Sequence, residues 1–270
     1  MKIDANTFRS KYGPWALIAG ASEGLGAAFT TQLAALGLHI APVARRQALL
    51  EKLASDLAAR HGVQTRPIAL DLASPDAAAT LLEQTRDLEI GLVVYNAALS
   101  PIGPFLDHDT SELSRALDLN CRTPLGIAHA FGRAMRPRGR GGILLVCSMS
   151  AYQGSPLLAT YAATKAFELV LGEGLWDELQ EHGLDVLAFC AGATRTPNYL
   201  ASDARPLSRF APAVMEPEDV AAEALATLGK TPSAIAGRAN RVGGFVMNRL
   251  LPRRLAVRLM GRTTRSMYWK

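Results

Sequence analysis

Only three of the 270 residues are cysteine, and Cys121, Cys147 and Cys190 stand at no spacing that a metal site would use. Two of them lie inside apolar, strand-like runs, so they read as small core residues of a protein kept in a reducing compartment. No uncharged apolar stretch approaches the length of a membrane span. The polar opening MKIDANTFRSKYG lacks the apolar core of a signal peptide. Charged residues make up 20% of the chain and hydrophobic ones 49%, which excludes a disordered chain and allows a sizeable core. These features predict a soluble, intracellular, cytoplasmic protein. Acidic side chains are missing from the C-terminal end: Glu223 is the last, and ten basic residues follow it. The net charge of +5 is therefore a property of the tail. No aromatic or motif pattern accompanies that charge, so nucleic acid is not an expected partner. Repeats, low-complexity tracts and linkers are absent as well, which leaves one domain.

What is present is an alternation of short apolar runs with helix-like segments. Trp15–Ala19, His39–Ala44, Pro67–Leu70, Gly91–Tyr95, Gly142–Cys147 and Leu184–Phe189 read as buried strands. Their alternation with helices predicts an α/β fold, a doubly wound parallel sheet with helices on both faces. After the first strand comes Gly20-Ala21-Ser22-Glu23-Gly24-Leu25-Gly26, then a helix pattern from Ala27 to Leu36 that stops at Gly37. A glycine turn between strand and helix lets backbone amides approach a pyrophosphate. Gly20, Ser22, Gly24, Leu25 and Gly26 are the expected contacts. The second strand runs into Arg45-Arg46. An acidic residue there would bind a ribose 2′-hydroxyl, whereas a guanidinium fits a 2′-phosphate. NADP(H) is expected before NAD(H), and Glu23 slightly tempers that expectation. Asp71, followed by Leu72, ends the third strand and would either accept from an adenine amino group or cap the next helix. Asn96-Ala97 follow the fourth strand.

The chemistry centres on Ser148 to Lys165. Tyr161 and Lys165 stand four apart, so on a helix both leave from one face. An ammonium beside a phenol favours the phenolate and should lower a pKa that is ordinarily about 10, as a general acid/base requires. Ser148 follows an apolar strand, at the end of the sheet where ligands bind in such folds. One long helix, Ser111 to Met135, carries Asn120 in its interior, where asparagine is unfavourable. Either it lies on a polar face by accident, or its amide or a freed carbonyl holds a water near Lys165. Residues 194–216 read as a substrate lid, Trp176 as a candidate interface anchor, and Pro217–Leu228 as the last core helix. Residues 1–242 form the domain, and 243–270 a basic amphipathic extension. In the extension Leu251, Leu255 and Leu259 share one helical face, Arg254, Arg258 and Arg262 another, and Pro252 starts a second helix. It would cover the core or a subunit interface, lie on an anionic membrane, or bind an anionic group of a substrate.

In their order, Gly20-x-x-x-Gly24-x-Gly26, Asn96-Ala97, Asn120, Ser148, Tyr161-x-x-x-Lys165 and Gly192-x-x-x-Thr196 resemble the short-chain dehydrogenase/reductases over about Tyr12 to Leu228. The opening YGPWALIAGASEGLG is similar to the branch that includes hydroxysteroid dehydrogenases and 3-oxoacyl-CoA reductases. The resemblance implies a single-domain Rossmann-like fold and hydride transfer between a nicotinamide and a ketone or secondary alcohol. It implies Tyr161 as general acid, with Lys165 lowering its pKa and holding the ribose. Ser148 would bind the reacting oxygen, and Asn120 would support a water. Thr194 and Thr196, after Gly192, would hold the carboxamide, and Arg45 the 2′-phosphate. Homodimers or homotetramers prevail in the family. Ala19, Ala98 and Ala191 depart from its usual threonine, glycine and proline, and none is a reacting group. The apolar Pro156-Leu157-Leu158 adds an expectation of a lipophilic substrate. The rival reading is a cofactor-binding or membrane-associated interaction protein with incidental catalysis. The intact Asn120, Ser148, Tyr161 and Lys165 argue against it.

Overall fold

The computed structural model describes residues 3–202 and 214–269. Helix α1 (Ala5–Tyr12) precedes β1 (Trp15–Ala19), α2 (Gly24–Ala35), β2 (His39–Ala44), α3 (Gln47–His61), β3 (Ile68–Ala69), α4 (Ala77–Gln84) and β4 (Ile90–Tyr95). Then come α5 (Thr110–Leu117), α6 (Thr123–Met135), β5 (Gly141–Ser148), α7 (Ala159–Gln180) and β6 (Leu184–Ala191). The chain closes with α8 (Pro197–Ala201), α9 (Pro217–Thr227), β7 (Ser233–Ile235), α10 (Arg238–Phe245) and α11 (Arg253–Tyr268).

The strands form one parallel sheet in the order β3-β2-β1-β4-β5-β6-β7. Because strand side chains alternate between faces, continuous apolar runs supply two cores. Ile18, Val94 and Leu144 pack with Phe29, Leu33 and Val220 on one side. Leu17, Val93 and Leu145 pack with Leu81, Phe131 and Leu169 on the other. Strand order reverses between β1 and β4, and the crevice at their carboxyl ends is the ligand position of such sheets. The expected doubly wound α/β fold is therefore present.

Four elements differ from the sequence reading. The polar N-terminus forms α1, capped by Asp4 on the Thr7 amide at 2.7 Å, with Phe8 and Tyr12 buried. The expected last core helix, α9, is followed by a seventh strand, β7, too short and too weakly patterned to stand out. The single helix expected over 111–135 is interrupted at Asp118–Arg122 by a turn of π-helix, a distortion that tends to mark functional sites. In the tail, Pro252 does precede a helix, but its buried face is Ala256, Gly261 and Thr264, while Leu255 is exposed. The boundary expected at 242 falls inside α10, whose Asn240 is buried. Of the expected lid, 203–213 lies outside the described residues. Its neck is held by paired backbone at Thr194 and Met215 and by an Arg195–Glu216 ion pair of 2.8 Å.

Candidate active site

The turn after β1 works through the side chains it does not have. Gly20 has φ +82°, and a Cβ on it would stand 2.7 Å from the Ala97 nitrogen. A Cβ on Gly26 would stand 1.9 Å from the Gly20 carbonyl oxygen. That same carbonyl accepts from the Asn96 amide at 3.0 Å, so Gly20, Gly26, Asn96 and Ala97 interlock. Gly24 lies against the Thr196 methyl, 2.9 Å from its own missing Cβ, which joins the turn to the strand end after β6. Leu25 is buried in the first turn of α2. The residue before α2, Glu23, makes no side-chain cap, so the first amides of the helix are left for an anion. This cradle fits a dinucleotide pyrophosphate.

The two arginines after β2 divide their work. Arg46 bonds Ser22 Oγ at 3.1 Å and pairs with Glu23 at 2.8 Å. Arg45 is exposed and makes no hydrogen bond or close ion pair among the described residues, acting only at longer range on Asp71. The acidic residue that tempered the cofactor expectation is thus neutralised within the turn. Asp71 meets neither alternative cleanly. Its carboxylate accepts from Arg115 at 2.8 Å and from the Ala73 amide, and it does not cap α4. Despite its partial burial, these bonds and the nearby Arg45 hold the carboxyl below its ordinary pKa. Leu72 is buried, and its carbonyl accepts from Thr123.

Ser148 ends β5, and Tyr161 and Lys165 stand on α7 beside it. Ser148 Oγ accepts from the Ser150 amide at 3.2 Å and lies near enough to the Tyr161 phenol to favour its ionised form. Lys165 Nζ lies 5.9 Å from the Tyr161 ring centre and donates to the Val146 carbonyl at 2.9 Å. The expected lowering of the phenol pKa does not result. Desolvation of the hydroxyl raises it, Lys165 and Ser148 lower it, and Glu168 raises it again, leaving it above its usual value. Glu168 was not anticipated. It is fully buried, and its Oε2 sits 2.8 Å from Lys165 Nζ. Burial would lower the lysine pKa, but Glu168, with Tyr161 and Cys147, leaves it raised. A glutamate at i+3 from lysine looks in sequence like any exposed helix pair, which is why it passed unnoticed.

Asn120 sits in the π turn and is fully buried. Its amide nitrogen donates to the Leu99 carbonyl at 2.8 Å and to Thr164 Oγ1 at 2.9 Å, and its oxygen accepts from the Leu99 amide at 2.9 Å. Both amide hydrogens are thereby committed to fixing the loop after β4 against α7, while the side-chain oxygen keeps a second lone pair. The neighbouring Leu119 carbonyl accepts from the Tyr95 hydroxyl.

The walls come from three segments. In the loop before α7, Leu157 is buried with φ +63°, a strained conformation that such sites hold in place. Thr194 Oγ1 donates to the Gly192 carbonyl, and Thr196 caps α8 on the Tyr199 amide. Helix α11 crosses the same end: Gly261 lies against Pro156, and Tyr268 faces Ser202, Tyr199 and Tyr161. The predicted catalytic and cofactor residues are all found at this one end of the sheet. Trp176 packs partly buried against the core. No group of three or more His, Cys, Asp or Glu among the described residues could hold a metal ion. None of their helices is long and apolar enough to cross a membrane.

Residues 14–205 match the family described as short chain dehydrogenase. A 7beta-hydroxysteroid dehydrogenase of Clostridium sardiniense is 35% identical over 234 residues, spanning 87% of this chain and 89% of that protein. A solved structure of a 7beta-hydroxysteroid dehydrogenase, 32% identical, superposes with a TM-score of 0.86 over 94% of this chain and 98% of its own. A short-chain dehydrogenase from Sphingobium yanoikuyae, solved in complex with NADPH, is 29% identical with a TM-score of 0.74, over 83% of this chain and 87% of its own.

Proposed function

Since the chain belongs to the short-chain dehydrogenase family and is with it an NAD(P)-dependent oxidoreductase, we propose that it reduces a lipophilic ketone to a secondary alcohol, or runs the reverse, with NADP(H). The observation that carries the reading is the grouping of Ser148 with Tyr161 and Lys165, the lysine Nζ 5.9 Å from the phenol ring centre, at the end of the sheet that also holds the bare glycine turn. Bound there, the cofactor supplies or accepts the hydride.

The chain's own residues do the rest. Gly20, Ser22, Gly24, Leu25 and Gly26 leave room and amides for the pyrophosphate. Arg45 receives the 2′-phosphate, and Arg46 holds the turn through Ser22 and Glu23. Asp71 and Leu72 border the adenine, Asn96 and Ala97 brace the turn, and Gly192, Thr194 and Thr196 border the nicotinamide. Ser148 donates to the substrate oxygen as negative charge develops on it. Tyr161 gives that oxygen a proton, and Lys165 steadies the phenolate left behind. Asn120 fixes the floor through Leu99 and Thr164. The apolar Leu157 wall, α11 and the hydroxysteroid relatives favour a rigid hydrophobic substrate such as a sterol. The Tyr161→Phe variant tests the reading. Ketone reduction should fall about 10³-fold, within the range for removing a general acid, with NADPH binding retained. Equal rates in both proteins would sink it.

Exposed Leu117, Phe167 and Val170 on α5 and α7 support a homo-oligomer, for which light scattering is the test. Exposed Phe245, Leu250 and Trp269 beside carboxylate-free arginines favour peripheral contact with an anionic bilayer. Flotation with phosphatidylserine vesicles should weaken when these three become serine. Unchanged flotation removes the idea.

A further inference from the structure

Glu168 has no task in the proton transfer just described, yet its burial is complete. It stands on α7 one turn beyond Lys165 and two beyond Tyr161, on the same face. Its Oε2 holds Lys165 Nζ at 2.8 Å, and its buried Oε1 has no hydrogen-bond partner. The other groups facing this pair are Cys147 from β5, Cys121 from the π turn and Tyr95 from β4, with Tyr268 of α11 facing Tyr161. None brings a second cation, so Lys165 alone balances the carboxylate. A buried carboxylate with one oxygen unpaired is unfavourable for stability, and a leucine would fill the position more cheaply.

We propose that Glu168 is a positioning residue that anchors the Lys165 ammonium and offsets its charge, so that Tyr161 is held as the protonated phenol and the site is set for ketone reduction. The inference rests on the reading of Tyr161 as the proton donor. An unopposed ammonium would favour the phenolate. With a carboxylate 2.8 Å away, the pair presents a dipole, and its field at the phenol is much weaker. Burial lifts the Glu168 carboxyl to about 7 against the pull of Lys165. It is therefore ionised throughout the alkaline range in which a phenol titrates. Reduction adds one hydride to the carbonyl carbon and the Tyr161 proton to its oxygen, and the phenolate then regains a proton from water. Alcohol oxidation begins from the phenolate and is confined to higher pH.

Glu168→Gln keeps the size and a hydrogen bond to Lys165 while removing the charge. Glu168→Leu removes both. Tyrosinate absorbance is titrated in the full chain, with Tyr161→Phe subtracting the remainder of the six tyrosines, and ketone reduction with NADPH is followed against pH. In either Glu168 variant the Tyr161 midpoint and the alkaline limb of reduction should both move down by about one pH unit. In the Tyr161→Phe background the Glu168→Gln change should move no midpoint except that of Tyr95, which faces Glu168 and titrates well above the ordinary phenol range. Unmoved midpoint and limb, with Tyr161→Phe inactive, would overturn the role of Glu168 alone. Full turnover by Tyr161→Phe would instead overturn the reading of Tyr161.

Discussion

The glycine turn after β1 and the Tyr161–Glu168 face of α7 are built on opposite principles, although both lie at one end of the sheet. The turn is made by omission. Gly20 and Gly26 have no room for a methyl group, and what they offer is backbone. The α7 face is made by addition, with an ammonium and a carboxylate, both fully sequestered, set behind a phenol. A site made of backbone depends on space and tolerates changes of charge nearby, as Glu23 beside Arg46 does. A site made of buried charge depends on balance, and removing either member leaves the other uncompensated.

Substitutions that swap these sensitivities should break the comparison if it is wrong. The largest effect is expected from Gly26→Ala, because its Cβ would meet a carbonyl oxygen at 1.9 Å. Denaturant unfolding should register a loss of about 3 kcal/mol, and fluorescence titration should find NADPH binding weakened about 100-fold. Retained binding would mean that the turn is not the cradle. Next comes Asn120→Ala, which deletes three hydrogen bonds among Leu99, Thr164 and the π turn. It should cost about 2 kcal/mol of stability and lower kcat with little change in cofactor affinity. A changed cofactor affinity would tie the two regions more closely than argued. Arg45→Asp should shift the ratio of NADPH to NADH binding about tenfold towards NADH, since a charged hydrogen bond to phosphate is lost. Arg46→Ala, whose partners lie inside the turn and are exposed, should move that ratio less than about threefold. Equal effects of the two arginines would erase the distinction between them. The smallest effect is an expected flatness. With the Tyr161 pKa raised, ketone reduction should vary little across neutral pH, and its alkaline limb should lie above the ordinary phenol range.

The same contrast explains what the sequence made legible. Continuous apolar runs and a strand–glycine–helix junction are local signals, and six strands, the glycine turn and the order of reacting residues were readable from them. β7 was not, because Ser233–Ile235 is three residues long and pairs only with β6. Lys165 was readable as a partner of Tyr161 from their spacing, but the net effect on the phenol was not. That effect depends on Glu168, whose burial follows from packing against β4, β5 and the π turn. Asn120 was recognised as out of place in a helix. Its bonds to Leu99 and Thr164 are tertiary and carry no local signature. In the tail, regular leucine spacing suggested the buried face, but small residues dock it, since Gly261 must fit against Pro156.

The first and last described helices, α1 and α11, lie on opposite sides of the sheet. Tyr12 of α1 packs at the strands' amino ends, against Gly91 and Gly142, while α11 brings Tyr268 to the cleft beside Tyr161. A purification tag or surface linker attached at the C-terminus would therefore hang at the rim of the cleft and compete with incoming substrate. One attached at the N-terminus would leave it open. Immobilised by its N-terminus, the protein would turn its cleft to the solution, which suits it to use on a solid support.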